Sequence, residues 1–182
     1  MHGRCSDPDL AQVVLDTNIV LDMLVFDDPG MQSLKLALAA RQIVWLATPA
    51  MRDELVRVLG YPKIMAQLSL HQVDTERVLM LFDDQAQMAA VAARANAVCG
   101  DPDDQKFIDL AVAHKARLLS KDTAILCMSR RLQSLGVPVQ STASTGHWCA
   151  PTSTPGLRMP AGSTTDLAAA NIWRNKGGTS AS

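Results

Sequence analysis

The sequence has 182 residues, about the length of one domain, and 48% of them are hydrophobic. A chain of this size buries on the order of 70% of its unfolded surface. The formal net charge of −1 excludes a uniformly basic surface, so a polyanion must be held by local basic side chains or metal ions. The four cysteines and four histidines show neither a C-x-x-C pair nor a zinc-ligand spacing. Because no apolar run approaches ~18 residues and the N-terminus has no apolar core, we expect a reduced, cytoplasmic protein without a membrane span.

The first predicted element is a buried strand that ends on a carboxylate. An apolar run at 13–15 is followed at once by Asp16, Thr17 and Asn18, which is typical of a parallel strand turning into a loop. Open α/β sheets bind their ligands at this carboxyl edge. Asp16 is therefore a candidate site residue, although an aspartate here can also be the N-cap of the next predicted helix, 19–24.

The elements that follow alternate between helix and strand. A helical pattern at 31–40 leads to an apolar strand at 43–47. Thr48 and Pro49 then begin a helix at 49–59, since threonine caps helices and proline suits the first helical position. A strand followed directly by a helix is half of a βαβ unit, which indicates a parallel sheet.

The apolar face of the helix at 49–59 includes Glu54. At about 100° per residue, Glu54 falls in the same stripe as Met51 and Leu55. A glutamate on a buried face needs a partner, because burying an unpaired charge is costly. Two explanations remain open, an ion pair with Arg52 or Arg57 and a functional role.

Helices at 63–68 and 72–82 and a short strand at 89–92 are predicted next, as scaffold. Asp101, Asp103 and Asp104 then begin another helix. Acidic residues at a helix start are favoured by capping and by the helix dipole, so a structural role competes with a role as ligands. On the helical wheel His114 faces inward, whereas Asp109 points away and is expected to be a solvated residue.

A further strand, at 117–120, ends on Lys121 and Asp122 as the first strand ends on Asp16. Asp122 is again either a site residue or the cap of a short helix at 123–128. The last predicted elements are a helix at 129–135 and a strand at 137–139.

This alternation predicts a three-layer α/β/α sandwich with a central parallel sheet of about four or five strands. We assign this domain to residues 12–140, after an N-terminal extension at 1–11. Beyond it the composition changes to Ser, Thr, Pro and Gly, which cannot bury enough apolar surface to offset the entropy of ordering. Residues 141–182 are therefore expected to form a disordered tail, with a short helix at 166–176.

Four carboxylates from separate strand-helix junctions share the predicted carboxyl edge, and we call them the acidic quartet: Asp16, Glu54, Asp104 and Asp122. Without compensation they would repel one another and be costly to desolvate. Hard cations such as Mg²⁺ and Mn²⁺ prefer oxygen ligands and resolve this conflict. Such a site suits hydrolysis of phosphodiester bonds.

In these motifs the sequence resembles the PIN-domain family of metal-dependent ribonucleases. The resemblance covers residues 12–140 and is closest to toxin-antitoxin PIN proteins related to the VapC-type toxins. It rests on four motifs: Val-Leu-Asp-Thr-Asn at 14–18, Glu54 in the helix after the second strand, Asp-Pro-Asp-Asp-Gln-Lys-Phe at 101–107 and Leu-Ser-Lys-Asp at 119–122.

The resemblance implies that the acidic quartet holds Mg²⁺ or Mn²⁺ and catalyses endonucleolytic RNA cleavage. It makes Asp101 an auxiliary metal ligand and Asn18 and Ser120 polar groups that support the ligands. Which aspartate of the 101–104 cluster is the ligand stays open. The implied partners are an RNA substrate, a cognate antitoxin that blocks the acidic cleft, and a second copy of the chain in a homodimer.

Other functions are weaker interpretations of the same residues. A phosphatase of the haloacid dehalogenase type needs an aspartate where Asn18 stands, and a response-regulator receiver needs an acidic pair on the first strand. The remaining alternative is a non-catalytic module that binds RNA or an antitoxin, but binding a polyanion does not favour collected negative charge. Basic residues near the edge could hold phosphates: Arg52, Arg57, Lys63, Lys106 and Lys121.

Overall fold

The computed structural model describes residues 10–141. The predicted tail, its helix at 166–176 and most of the N-terminal extension lie outside this range. A five-stranded, wholly parallel sheet forms the centre of the fold, in the order β3-β2-β1-β4-β5. Its strands are β1 (Ala11–Leu15), β2 (Ile43–Ala47), β3 (Ala86–Met88), β4 (Arg117–Leu119) and β5 (Val139–Gln140).

Helices connect the strands and cover the sheet. They are α1 (Thr17–Leu24), α2 (Gln32–Ala39), α3 (Pro49–Leu59), α4 (Pro62–His71), α5 (Thr75–Gln85), α6 (Gln105–His114), α7 (Thr123–Leu126) and α8 (Ser129–Ser134). Two short 3₁₀ turns, Pro29–Met31 and Pro102–Asp104, precede α2 and α6. The predicted three-layer α/β/α fold is therefore confirmed.

The central strand β1 is the most enclosed part of the sheet. Val13 pairs with Trp45 on β2 and with Arg117 on β4. α6 packs against both β1 and β4, and α2 packs against β2. The Trp45 ring meets Phe82 of α5 edge to face, with 4.9 Å between the ring centroids. Burial of both faces explains why residues 13–15 of β1 are a continuous apolar run rather than an alternating one.

The strand order creates a crevice at the centre of the sheet. From β1 the chain proceeds to β2 and β3 on one side, and then returns to β4 and β5 on the other side. The carboxyl ends of β1 and β4 are therefore adjacent while their connections leave in opposite directions. Such a switch point is where open α/β sheets bind ligands.

Three local predictions are wrong. No strand forms at 89–92, because β3 directly follows α5 and ends at Met88. Asp109 is not a solvated residue, since its Oδ1 accepts hydrogen bonds from the Ala95 backbone N–H (2.8 Å) and the Gln105 side chain (2.6 Å). His114 is exposed at the end of α6 rather than turned inward.

No helix within residues 10–141 is long and apolar enough to cross a membrane.

Candidate active site

Asp16 occupies the end of β1, directly in the central crevice. Its side chain is only 3% exposed, and its Oδ2 accepts a hydrogen bond from the Ser120 hydroxyl (2.7 Å). Asp16 stands at the N-cap position of α1; its side chain makes no capping hydrogen bond of good geometry, although the backbone N–H groups of Asn18 and Thr17 lie close enough to lower its pKa. Burial raises the pKa of Asp16, and the Ser120 hydrogen bond is the strongest opposing effect. Asp16 is thus a buried carboxylate whose strongest favourable partner is the Ser120 hydroxyl at the end of β4.

Ser120 links the ends of β1 and β4. It is fully buried, and its hydroxyl oxygen accepts the Asp122 backbone N–H (2.9 Å) while its proton goes to Asp16. Asp122 does cap a helix, because its Oδ1 accepts the Ala124 N–H at the start of α7 (2.7 Å). The charge of Asp122 nevertheless reaches the other carboxylates, where it raises the pKa of both Asp16 and Asp104.

Asp104 is the least satisfied carboxylate of the crevice. Its Oδ2 is buried and has no hydrogen-bond partner among residues 10–141. Burial raises the pKa of Asp104 to about 6, and the negative charges of Asp122, Asp16 and Asp101 contribute to the shift. Asp101 is exposed and caps the 3₁₀ turn by accepting the Asp103 N–H (2.9 Å). Within the 101–104 cluster, Asp104 is therefore the better-placed ligand for a cation.

Glu54 is held by partners that were not predicted for it. The Thr17 hydroxyl donates to its Oε1 (2.7 Å), and the Lys106 ammonium forms an ion pair with its Oε2. Arg52, which was considered as an ion-pair partner of Glu54, instead forms a bidentate ion pair with Asp83, at 2.7 and 2.8 Å. The sequence did not reveal Thr17 and Lys106 as partners of Glu54, because a hydroxyl residue directly after Asp16 and a lysine after the aspartate cluster are both common features.

The four carboxylates of the quartet lie at one edge of the sheet and fall into two groups. Asp16, Asp104 and Asp122 are coupled through their charges, whereas Glu54 is occupied by Thr17 and Lys106. Within the described part of the chain, no three acidic, histidine or cysteine side chains are already arranged to hold a metal ion. The donor chemistry nevertheless fits a hard cation, since all donors are carboxylate oxygens and Asp104 Oδ2 is buried without a partner.

The remaining predicted residues differ in their surroundings. Asn18 is exposed beside Asp16. Lys121 pairs with Asp22 and lies 3.5 Å from Asp28, and the Asp22 interaction raises its pKa. Arg57 and Lys63 are exposed.

A cavity of about 350 Å³ lies between α1, α2, α4 and α5. It contains none of the quartet. Its most buried polar residue is Lys35, 4% exposed and paired with Asp27, and Arg77 and His71 also line it.

Comparisons with known proteins bear on the fold and the family. The family model described as PIN domain matches residues 12–124. No curated protein matches the sequence. Among solved structures, the chain is similar to a chain of "Crystal structure of VapBC2 from Rickettsia felis bound to a DNA fragment from their promoter". That match has a TM-score of 0.49 and 14% sequence identity, and covers 72% of this chain and 98% of that chain.

Proposed function

Because the chain belongs to the PIN-domain family, whose members are generally nucleases that depend on divalent metal ions, we propose that it is a Mg²⁺- or Mn²⁺-dependent endoribonuclease. The observation that carries this proposal is the buried Oδ2 of Asp104, which has no hydrogen-bond partner in the described residues and is coupled electrostatically to Asp16 and Asp122. A buried carboxylate oxygen without a donor is costly, and a cation removes that cost.

The acidic quartet would hold the metal, with Asp101 as an auxiliary ligand at the exposed side. When bound, a divalent cation lowers the pKa of an attacking water and stabilises negative charge on the oxygens of the phosphodiester. Mg²⁺ typically uses one or two carboxylates and fills its other positions with water and phosphate oxygens. The quartet therefore need not bind through all four members at once.

The neighbouring polar groups position these ligands. Ser120 fixes the rotamer of Asp16 through its hydroxyl, and the same hydroxyl accepts the N–H of Asp122. Thr17 holds one oxygen of Glu54. Asn18 is exposed beside Asp16 and supplies an amide that can face the substrate. Such support is what keeps a ligand in place when a cation binds.

RNA binding would use basic residues whose side chains are exposed. Arg57 on α3 and Lys63 on α4 are exposed, whereas Arg52, Lys106 and Lys121 form ion pairs with carboxylates. Phosphate contacts make affinity fall with salt, and losing one contact reduces that dependence. Arg57 and Lys63 are therefore the proposed phosphate contacts.

The partner we propose is a small antitoxin protein that blocks the acidic cleft with a basic side chain, and a homodimer is proposed as the assembly state. The support in this chain is the concentration of buried negative charge at one edge, which favours a charge-assisted hydrogen bond from Arg or Lys. Co-expression with the adjacent small open reading frame followed by size-exclusion chromatography tests this. Separate elution of the two proteins would reject the toxin role and leave the nuclease proposal standing.

The decisive experiment on the nuclease proposal is Asp16→Asn. Asparagine keeps the size of the side chain but removes the charge that offsets a cation, so metal-dependent RNA cleavage should be abolished. The matched control is Asp53→Asn, which removes an exposed carboxylate from α3 and should leave cleavage unchanged. All proteins are assayed on several RNAs with Mg²⁺, with Mn²⁺ and with EDTA.

The outcomes separate the candidate functions. Equal and EDTA-resistant cleavage by wild type and Asp16→Asn would eliminate the metal-nuclease proposal. RNA binding by a wild type that cleaves none of the RNAs would instead favour a non-catalytic RNA-binding module.

A further inference from the structure

A lysine of this chain is already bound to one member of the acidic quartet. The Lys106 ammonium forms an ion pair with Oε2 of Glu54, while the Thr17 hydroxyl donates to Oε1. Both side chains of the ion pair are largely shielded, with 24% of Lys106 and 15% of Glu54 exposed. Both oxygens of this carboxylate are thus engaged by groups of the protein itself.

The negative charges around Lys106 favour its ion pair with Glu54. Asp104 lies two residues before Lys106, and the lysine charge lowers the pKa of Asp104 against the stronger effects of burial and of three neighbouring carboxylates. In partly buried surroundings a charge is attracted to opposite charges more strongly than in bulk water. Lys106 therefore supplies part of the positive charge that the quartet needs.

The side chain of Lys106 has other contacts that do not involve Glu54. Its ammonium also donates to the backbone carbonyl of Asp103 and lies 4.7 Å from the centroid of the Phe107 ring. A lysine released from Glu54 keeps a carbonyl acceptor and an aromatic face, and cation–π contact is favourable for an ammonium. Displacement therefore does not require the ammonium to lose all its partners.

We propose that Lys106 is an internal counter-ion that a divalent metal ion must displace from Glu54, so that the lysine sets the metal affinity of the site. This inference rests on the proposed function, because it takes Glu54 as a metal ligand. Lys106 is then a positioning residue that acts through Glu54. Lys106 and a metal ion would compete for the Glu54 carboxylate, so removing the lysine would strengthen metal binding.

The test is isothermal titration calorimetry of Mn²⁺ into the full chain. In Lys106→Gln the dissociation constant for Mn²⁺ should fall by roughly five- to thirty-fold, which is ~1–2 kcal/mol at 1.4 kcal/mol per tenfold. Lys106→Arg keeps the charge and should retain the wild-type value within about threefold. The matched control is Arg52→Gln, which also removes one positive charge near Glu54 but whose partner is Asp83; its affinity should stay within about twofold of wild type.

A second variant keeps the inference testable if Lys106→Gln is poorly folded. Lys106→Met removes the ammonium while retaining a side chain of similar length and apolar character, and should strengthen Mn²⁺ binding. The Mn²⁺-induced rise in melting temperature should therefore be larger in Lys106→Met than in wild type. An equal or smaller rise would overturn the counter-ion role.

The results distinguish this inference from the proposed function. If wild type binds Mn²⁺ and Lys106→Gln binds it equally or more weakly, the counter-ion role is overturned and the metal site stands. If wild type does not bind but Lys106→Gln does, the counter-ion role is supported. If neither binds Mn²⁺, both the counter-ion role and the metal site are rejected.

Discussion

At the scale of single residues, the Ser120 hydroxyl is the largest of the contacts that partly offset the cost of burying Asp16. Ser120 is fully buried and gives its hydroxyl proton to Asp16 while accepting the Asp122 N–H. A hydrogen bond to a charged group contributes about 1.5–3 kcal/mol, and a buried group left without its partner is costly. The family resemblance implied that Ser120 is a supporting residue, but its two hydrogen bonds depend on strand pairing that the spacing of residues in the sequence does not reveal.

Ser120→Ala should destabilise the metal-free protein by about 1–3 kcal/mol, because Asp16 and the Asp122 N–H both lose a partner. Urea denaturation in EDTA measures the change. Ser134→Ala is the control, since the Ser134 hydroxyl makes an exposed hydrogen bond to a carbonyl of its own helix and should change stability by less than about 0.5 kcal/mol. Equal effects of the two substitutions would contradict a special role for Ser120.

Asp104 should make the metal-free protein less stable as the pH rises. Its pKa is raised from 3.8 to about 6 in the folded chain, so between these values the folded chain binds more protons than the unfolded chain. Stability contributed by the protonated carboxyl is present below about pH 4 and is lost as the pH rises through about 6. Asp104→Asn cannot titrate and should lack this part of the decline.

Urea midpoints of wild type and Asp104→Asn, measured in EDTA between pH 4 and 7, give the difference. The variant should gain stability relative to wild type as the pH rises. Parallel pH profiles would show that Asp104 titrates normally.

At the scale of elements, the segment 95–99 of the loop after β3 is held mainly by side chains of α6. Gln105 accepts the Cys99 N–H (2.7 Å) and donates to the Ala97 carbonyl (3.0 Å), and Asp109 accepts the Ala95 N–H. The helix at 49–59 and the strand at 43–47 were predicted to the residue, because hydrophobic periodicity and caps define them. Residues 89–92, at the start of this loop, were wrongly predicted to be a strand, and the side-chain bonds that hold 95–99 were not foreseen because bonds from side chains to backbone leave no periodic signal.

Gln105→Ala should therefore loosen this loop and destabilise the protein by about 2–4 kcal/mol. Hydrogen exchange at the Cys99 amide should accelerate, while exchange at the β1 amides should follow global unfolding only. Gln133→Ala, at an exposed glutamine of α8, should leave both rates unchanged. Unchanged exchange at Cys99 in Gln105→Ala would show that the loop is held by other contacts.

At the scale of the whole molecule, the fold was predictable and the completed site was not. The order of apolar strands and amphipathic helices predicted a parallel three-layer domain, and the sheet has that arrangement. The ion pair between Glu54 and Lys106 joins α3 to α6. Sequence patterns do not predict which charged side chains of two different helices will come into contact. The roles assigned to the quartet stay predictions until metal binding and cleavage are measured.

A chain truncated after Ser141 should unfold in one cooperative transition, because the cluster of buried hydrophobic residues extends only from Val13 to Val137 in the described structure. Its melting temperature should lie within about 3 °C of the full chain, which corresponds to a stability difference below ~1 kcal/mol. Differential scanning calorimetry of both chains measures this. A broad transition, or a fall of more than about 10 °C, would mean that residues 142–182 contribute to the folded domain.

The hydrogen bond between Ser120 and Asp16 joins residues 104 positions apart, and β1 pairs with β4 as well as with β2. A ribosome releases β1 early and β4 late, so a nascent chain lacks both the strand that encloses Asp16 and the hydroxyl that fixes it. Contacts this distant in sequence also form slowly, because a long loop must close first. Any activity of the crevice therefore requires that β4 has been synthesised, and we expect a prematurely terminated product that ends before β4 to be inactive.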